Sequence, residues 1–170
     1  MTKKRVVVTG LGCLTPIGCN KDDFWKSLLE GKSGAKTIDF LDVDKLPVKF
    51  SASVKDFQSD VYLDKKDLKK MDLFMQYGMA AGIDAVADAK LLESQCNSDR
   101  IGVSIGSGIG GLYNIENTRD TFIKSGSRRI SPFFVPASII NMISGNLSIK
   151  YGFKGPNLSI VTACTTGTHN

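Results

Sequence analysis

A cysteine near the end of the chain has the setting of a catalytic nucleophile. Residues 158–162 are rich in β-branched side chains, and they lead directly into Ala163, Cys164 and a stretch of threonines. We predict a strand that turns tightly into a helix, with Cys164 at the helix N-terminus. Backbone N–H groups at that position favour a thiolate and can bind an anion that forms beside the sulfur.

The alternative for Cys164 is a buried structural thiol, because unpaired cysteines are often buried. A small Ala163 permits a sharp turn, and the neighbouring threonines make the surroundings polar, but spacing alone leaves both interpretations open. The one histidine, His169, follows Cys164 by five residues. In a helix that spacing is about 140° of rotation, so we expect His169 to pack elsewhere and not to face the sulfur.

A glycine-rich segment is the second candidate site. Gly106-x-Gly108-x-x-Gly111 follows an apolar run and precedes a predicted helix, which is the context of a dinucleotide-binding turn. The acidic residue expected about 20 positions further on is missing, because residues 126–131 form a basic loop. The other interpretation is a turn in which glycines permit close backbone approach.

The third candidate is a cluster of four lysines at the start of a predicted helix from Asp64 to about Leu92: Lys65, Lys66, Lys69 and Lys70. Within it Lys66, Lys69 and Lys70 share one face, since residues three and four apart are neighbours on a helix. Such a run is either a solvated face or a docking patch for an acidic partner.

The rest of the pattern predicts one α/β domain. We expect buried strands at 5–9, 101–105 and 157–162, helices at 20–30, 64–92, 112–124 and 138–151, and an irregular segment at 31–60. The methionines of the second helix recur at helical spacing and are expected in the core. Gly78 and Gly82, four residues apart, indicate that another element packs closely there.

Composition excludes several functions. The net charge is +5, but aromatic residues are not interleaved with the basic ones, so we do not expect nucleic-acid binding. One histidine and four cysteines without a CxxC pair cannot form a usual zinc site, and we expect neither metal nor cofactor. No apolar window is long enough to span a membrane, and Val6–Val8 is too short for a signal peptide. We therefore expect a cytoplasmic protein with reduced thiols.

Four motifs in series carry a resemblance to a known family. They are Val6-Val7-Val8-Thr9-Gly10-Leu11-Gly12, Gly106-Ser107-Gly108-Ile109-Gly110-Gly111, Ser131-Pro132-Phe133-Phe134-Val135-Pro136 and Thr162-Ala163-Cys164. Together they resemble the N-terminal part of the elongating β-ketoacyl-acyl carrier protein synthases of type II, which belong to the thiolase superfamily. The resemblance covers the whole chain.

The resemblance implies a thiolase-like fold with α-β-α-β-α layers, of which residues 1–170 are an incomplete part of the N-terminal half. It also implies an activity. Cys164 accepts an acyl chain from acyl carrier protein as a thioester, malonyl carrier protein loses carbon dioxide, and the resulting carbanion attacks the thioester. The backbone N–H of Cys164 is expected to donate to the oxyanion.

The resemblance further assigns roles to individual residues. It places Gly108, Ile109 and Ala163 in the acyl pocket, Ile109 as a movable gate, Phe134 in the pocket of the partner subunit, and Lys66, Lys69 and Lys70 in the carrier-protein docking patch. The strand at 157–162 is expected to pair with its counterpart across the two-fold axis of a homodimer.

The family's two catalytic histidines, its lysine and the phenylalanine of the second oxyanion N–H have no counterpart in these 170 residues. We therefore expect the isolated chain to be inactive. The alternatives are a noncatalytic relative such as a chain-length factor, in which the nucleophile is replaced, and a priming synthase, whose motifs fit poorly. A nucleotide-binding reductase and a carrier-protein-binding interaction module also remain.

Overall fold

The computed structural model describes residues 4–170, so Met1–Lys3 of the predicted domain lie outside it. The helices are α1 Lys21–Leu29, α2 Lys65–Leu68, α3 Leu73–Asp88, α4 Leu112–Ser125, α5 Phe134–Ser138, α6 Met142–Tyr151 and α7 Thr166–His169, and the strands are β1 Lys36–Thr37, β2 Phe50–Ser51, β3 Val103–Ser104 and β4 Asn157–Leu158. Short 3₁₀ turns occupy Ser59–Val61, Ser98–Arg100, Ser127–Arg129 and Ala163–Thr165.

Helix α3 lies at the centre of the fold. Met75 and Met79 are each 1% exposed, which confirms the predicted core role of the methionines. Full burial of one such side chain contributes about 1.5–3 kcal/mol. On the same side of α3, a Cβ atom added at Gly78 would lie 2.7 Å from the Ile143 side chain, and one at Gly82 would lie 2.9 Å from Leu147. The predicted close approach of another element is therefore confirmed, and that element is α6.

The predicted helix from Asp64 to Leu92 is wrong in its continuity. The structure has the four-residue α2, a break, and then α3. The break forms because Asp72 adopts an extended conformation, and its side-chain oxygen accepts a hydrogen bond from the N–H of Phe74 at 3.4 Å. A capping residue of this type starts a new helix, and the periodic apolar pattern does not reveal the interruption.

Two small sheets replace the longer predicted strands. In the parallel pair β3–β4, Val103 is opposite Asn157 and Ser104 is opposite Leu158. These are the only strand residues within the predicted strands 101–105 and 157–162, and they lie in the middle of the first and at the beginning of the second. The segment 31–60, predicted to be irregular, contains the antiparallel pair β1–β2.

Ser144 joins α6 to both strands of the parallel pair. Its side chain is fully buried, and its hydroxyl accepts from the Ile105 N–H at 3.1 Å and lies 2.7 Å from the Leu158 carbonyl oxygen. The Asn157 amide also donates to the Ser144 carbonyl at 2.9 Å. These contacts hold the end of β3 and the end of β4 against the helical core.

The predicted buried strand at 5–9 is wrong. Val6 is 94% exposed and Val8 is 80% exposed, and among residues 4–170 no strand pairs with this segment. The chain instead first contacts the core at Gly10, where an added Cβ would lie 2.5 Å from the Ala85 carbonyl oxygen of α3. The Leu11 N–H then donates to the Asp88 carboxylate at 2.9 Å. A valine run is apolar enough for a buried strand, but burial also requires a neighbour that covers it.

The remaining helices agree with the sequence, with one shifted boundary. Asn20 caps α1 by accepting from the N–H groups of Asp22 and Asp23, and α4 matches the predicted 112–124 helix. The predicted helix 138–151 begins only at Met142, and Ser138 ends the separate helix α5. Proline is tolerated in α5 because first-turn N–H groups have no partner within a helix. All helices of residues 4–170 are too short or too polar to cross a membrane.

Candidate active site at the Cys164 elbow

The turn predicted at Ala163 is present and sharp. Ala163 has a φ of +50°, in the left-handed region that costs a residue with a side chain about 1–2 kcal/mol. The 3₁₀ turn Ala163–Thr165 follows at once and continues into α7. Cys164 lies within this turn and is exposed. We refer to residues 160–166 as the elbow.

Threonine side chains stabilise the elbow. The Thr165 hydroxyl donates to the Thr162 carbonyl at 2.7 Å, and the Thr166 hydroxyl donates to the Ala163 carbonyl at 2.8 Å. The Thr162 N–H in turn donates to the Thr166 hydroxyl at 3.0 Å. Thr166 is buried by these contacts. The threonine run therefore holds the strained backbone that presents the sulfur.

His169 does not pack into the core as expected. It is exposed, and its Nδ1 lies 2.8 Å from the Thr162 hydroxyl. Within the described residues it makes no hydrogen bond to Cys164, as its position five residues further on predicted.

Asn170 has a role that the sequence did not indicate. Its amide pairs with both backbone groups of Ile160, accepting from the N–H at 3.0 Å and donating to the carbonyl at 2.9 Å. It also accepts from the Ser104 hydroxyl at 3.0 Å. The Asn170 side chain thus makes the two backbone hydrogen bonds at Ile160 that a neighbouring strand would otherwise make. No motif or periodicity signals this contact, because it depends on the tertiary position of one amide.

The glycine loop, residues 106–111, lies beside the elbow. A Cβ added at Gly108 would lie 3.9 Å from the Ala163 carbonyl oxygen, and one at Gly106 would collide with the carbonyl oxygen of Ile160. Ile109 is 72% exposed in the middle of the loop. The structure therefore brings two of the predicted pocket residues, Gly108 and Ala163, into proximity, with Ile109 next to them in sequence.

The same loop does not have the features of a phosphate cradle. The Gly110 N–H donates to the Ser107 hydroxyl at 3.1 Å, and the Gly111 N–H donates to the Ser138 carbonyl at 3.0 Å. A dinucleotide site needs such N–H groups free to bind the pyrophosphate. The glycines instead allow the backbones of the elbow and of α5 to approach. The turn interpretation is therefore favoured over nucleotide binding.

Phe134 is the first residue of α5 and is half-buried. Its carbonyl accepts from the Asn114 amide at 3.0 Å and from the Ser138 hydroxyl at 2.7 Å. Through Ser138 it is connected to the far end of the glycine loop, and not to Cys164 itself. Its predicted place in the pocket of a partner subunit stays a prediction.

The predicted shared helix face of the lysines is wrong. Helix α2 ends at Leu68, so Lys69 is its C-terminal cap and Lys70 lies in the break before α3. Lys66 and Lys69 are exposed. Lys70 donates to Asp67 at 2.8 Å, which lowers the pKa of that carboxyl group, and its ammonium lies 5.6 Å from the centroid of the Phe133 ring. Two of the three lysines therefore present their charge to solvent.

The other cysteines differ from Cys164. Cys13 and Cys19 are half-buried, and burial is the main cause that raises the pKa of each thiol. Asp84 raises the pKa of Cys13 further, and Asp56 that of Cys19. Cys96 is exposed like Cys164 but lies in a polar loop. In residues 4–170 no cluster of three His, Cys, Asp or Glu side chains could hold a metal ion.

Curated relatives match this chain along its whole length. A 3-oxoacyl-[acyl-carrier-protein] synthase 2 of Vibrio harveyi is 52% identical over 170 residues, and one of Coxiella burnetii (strain RSA 493 / Nine Mile phase I) is 51% identical. In both cases the match includes 100% of this chain and 41% of the relative. The chain thus spans less than half the length of the relatives it matches.

Solved structures have the same fold. The ishigamide ketosynthase/chain length factor superposes with a TM-score of 0.79 at 24% identity, covering 96% of this chain and 40% of that one. A type II PKS ketosynthase in complex with its acyl-carrier protein gives 0.78 at 23% identity, covering 98% of this chain and 44% of that one. The chain accordingly has part of the thiolase-like α/β fold of the ketosynthases.

The sequence profile of one protein family agrees with these matches. The family is described as "Beta-ketoacyl synthase, N-terminal domain", and its profile matches residues 3–170. With the fold, the relatives and the elbow in agreement, the chain belongs to the family of β-ketoacyl synthase N-terminal domains.

Proposed function

We propose that this chain supplies the acyl-accepting site of a 3-oxoacyl-acyl carrier protein synthase, a condensing enzyme of fatty acid synthesis, with Cys164 as the nucleophile. One observation carries the proposal. The exposed Cys164 directly follows the left-handed Ala163, in a turn that lies beside Gly108 of the glycine loop. A strained turn that presents a thiol is typical of a catalytic position.

The chemistry is acyl transfer followed by condensation. The Cys164 sulfur attacks the thioester carbonyl of an acyl carrier protein, a new sulfur–carbon bond forms, and the carrier thiol leaves with a proton. We propose that the Cys164 N–H donates a hydrogen bond to the oxyanion of this step. Loss of carbon dioxide from a malonyl carrier then provides the carbon nucleophile, which displaces Cys164 and releases a chain two carbons longer.

The pocket assignments are part of the proposal. Gly108 and Ala163 leave space beside the sulfur because neither has a side chain larger than a methyl group. Ile109, exposed beside them, is the gate. Phe134 lines the pocket of the second subunit of a homodimer. The exposed Leu158 and Val161 support a dimer in which the segment 157–162 pairs with its counterpart.

Acyl carrier protein is the proposed partner in both its acyl and malonyl forms. The exposed ammonium groups of Lys66 and Lys69, together with Lys70, suit an acidic protein surface. A structural neighbour that is itself a ketosynthase in complex with its acyl-carrier protein supports this partner. We propose the cytoplasm as the compartment, where the four unpaired cysteines would remain reduced.

The decisive experiment follows a labelled acyl chain. The full-length protein is incubated with radiolabelled acyl carrier protein, and the label retained after denaturation is measured. Cys164→Ala is expected to abolish the label because the attacking sulfur is gone. Cys96→Ala is the matched control, since Cys96 is also exposed, and it is expected to retain wild-type labelling. Equal labelling of the two variants would contradict the proposal.

The 170 residues by themselves are expected not to condense. Their one histidine is hydrogen-bonded to Thr162, and no second histidine is present to stabilise the enolate. Release of labelled carbon dioxide from malonyl carrier protein by the purified 170-residue chain would contradict this expectation.

A noncatalytic carrier-protein-binding chain is the second candidate. It is favoured by the exposed lysines of the docking patch, which do not depend on the elbow. Carrier-protein binding by the wild-type protein without any acylation of Cys164 would support it over the enzyme.

A further inference from the structure

We infer that Asn114 is a positioning residue that holds the glycine loop in register with the elbow and so governs how readily a long acyl chain reaches Cys164. The inference rests on the proposed function, because it assigns the loop to the acyl site. It concerns a residue outside the four motifs of the sequence, and one that has no contact with the sulfur.

The glycine loop is fixed at its two ends and open in its middle. At the first end, Gly106 lies directly against the Ile160 carbonyl. At the last end, the Gly111 N–H donates to the Ser138 carbonyl at 3.0 Å, and a Cβ at Gly110 would lie 2.6 Å from that same oxygen. Ile109 between these ends is 72% exposed. Its position is therefore determined by the two ends, and the second depends on α5.

Asn114 holds α5 at both of its ends. Its side-chain Nδ2 donates to the carbonyl of Phe134, the first residue of α5, at 3.0 Å, and to the hydroxyl of Ser138, the last, at 2.8 Å. A five-residue helix has little stability of its own. These bonds therefore fix the position of the Ser138 carbonyl, which accepts the hydrogen bond from Gly111 of the glycine loop.

Asn114 is itself attached to the core. Its backbone N–H donates to one carboxylate oxygen of Asp72 at 2.7 Å, and the other oxygen of Asp72 caps α3. A chain of hydrogen bonds therefore runs from the buried helix α3 through Asp72, Asn114 and Ser138 to the glycine loop. It starts two residues after Lys70 of the proposed docking patch.

Removal of the Asn114 side-chain amide is expected to weaken the contact between the glycine loop and α5 without altering the elbow. If Ile109 is the gate, as proposed above, a long acyl chain displaces it to enter. A misplacement of about 1 Å near a reacting group can cost up to about a hundredfold in rate. A short chain or a small alkylating agent reaches the sulfur without passing Ile109. The consequence is a loss of acylation that depends on chain length.

The test uses Asn114→Ala in the full-length protein, with Asn117→Ala as the matched control on the exposed face of the same helix. We expect acylation of Cys164 by a dodecanoyl carrier protein to slow about tenfold, and acylation by a butyryl carrier protein to slow less than about threefold. The rate of iodoacetamide alkylation at Cys164 should not change. Hydrogen exchange at the Gly111 amide should accelerate, since its acceptor is no longer held.

Ser138→Ala provides a second variant in case Asn114→Ala folds poorly. It removes one acceptor of the Asn114 amide, so we expect the same chain-length dependence at about a third of the size.

An equal slowing with both acyl donors and with iodoacetamide, or an unchanged exchange rate at Gly111, would overturn the inference. If the wild-type protein is not acylated at all, the proposed function fails, whereas the Gly111 exchange still decides whether Asn114 positions the loop.

Discussion

Glycine serves different purposes in two regions of this molecule. In the helical core, formed by α3 and α6, the atoms facing Gly78 and Gly82 belong to the side chains of Ile143 and Leu147. At the elbow and its glycine loop, the nearest facing atoms are backbone carbonyl oxygens. Gly106 meets that of Ile160, Gly110 that of Ser138 and Gly111 that of Ala137.

This difference indicates which glycine positions can tolerate a larger residue. The end of an aliphatic side chain can shift by a few tenths of an ångström at small cost, so the helical core can accept an added methyl group at Gly82, which faces the end of the Leu147 side chain. A backbone carbonyl cannot move without its strand or helix. The elbow and its glycine loop are therefore built on contacts that leave little room for substitution, which suits the precise placement of reacting groups that the proposed function needs.

The substitution Gly106→Ala is expected to have the largest effect and tests whether the glycine loop tolerates a side chain. The added methyl would collide with the Ile160 carbonyl, and it would also meet the side chains of Asn170 and Thr166. We expect the free energy of unfolding to fall by about 3 kcal/mol and the acylation of Cys164 to be lost. Urea unfolding of the full-length protein and the labelling assay measure the two effects. Wild-type stability and labelling would show that the site is as adaptable as the core.

Ser144→Ala tests the junction between the two regions. The Ile105 N–H would lose its acceptor at 3.1 Å and keep only the longer contact to the Leu158 carbonyl at 3.4 Å, and that carbonyl would lose the Ser144 hydroxyl as a donor. Together these losses cost about 1–3 kcal/mol. We therefore expect a fall of about 2 kcal/mol in the free energy of unfolding. Ser148→Ala on the same helix is the control, since the Ser148 hydroxyl accepts only from the exposed Asn157 amide. A similar cost for both variants would contradict the importance assigned to the buried hydroxyl.

The half-buried and the exposed sulfurs of the chain should also differ in the dependence of their alkylation rates on pH. Because burial raises the pKa of Cys13 and Cys19, both thiols stay protonated to higher pH than an ordinary cysteine. At pH 7.5 we expect iodoacetamide to modify them about tenfold more slowly than the exposed Cys96, with rates that rise as the pH passes the ordinary thiol range. Mass spectrometry of the alkylated peptides gives the four rates. Equal rates at Cys13 and Cys96 would contradict this reasoning.

The smallest effect is expected in the core. Gly82→Ala would place a methyl 2.9 Å from the end of the flexible Leu147 side chain, whereas Gly145 in α6 has nothing within 4 Å of the corresponding position. Alanine in a helix interior is favoured over glycine by up to about 1 kcal/mol. We expect Gly145→Ala to stabilise the protein by about 0.5–1 kcal/mol and Gly82→Ala to be within about 1 kcal/mol of neutral. Thermal unfolding distinguishes them, and a severe loss in Gly82→Ala would remove the contrast with Gly106.

Local rules explain what could be predicted from the sequence. The cap at Asn20, the amphipathic methionines of α3 and the small residues of the elbow each depend on chemistry within a few residues. The sequence therefore predicted α1, α4, the core role of Met75 and Met79, and the turn at Ala163. The motifs in series also identified the family before any geometry was known.

Long-range contacts explain what could not be predicted. Whether Val6–Val8 are covered depends on a neighbouring strand, and the break after α2 depends on one capping side chain that also binds Asn114. The Asn170 amide takes the place of a strand beside Ile160, which no periodicity could indicate. The roles of Ile109, Phe134 and the lysines stay predictions, because they concern molecules that bind to this chain.

The attachment of the first residues to α3 has a consequence for the order of folding. Leu11 finds its acceptor in Asp88, 77 residues later in the chain. Closing so long a loop costs conformational entropy, which contacts with an already formed helix can offset. We therefore expect helix α3 to form before residues 4–9 pack against it, and these residues to detach first on unfolding.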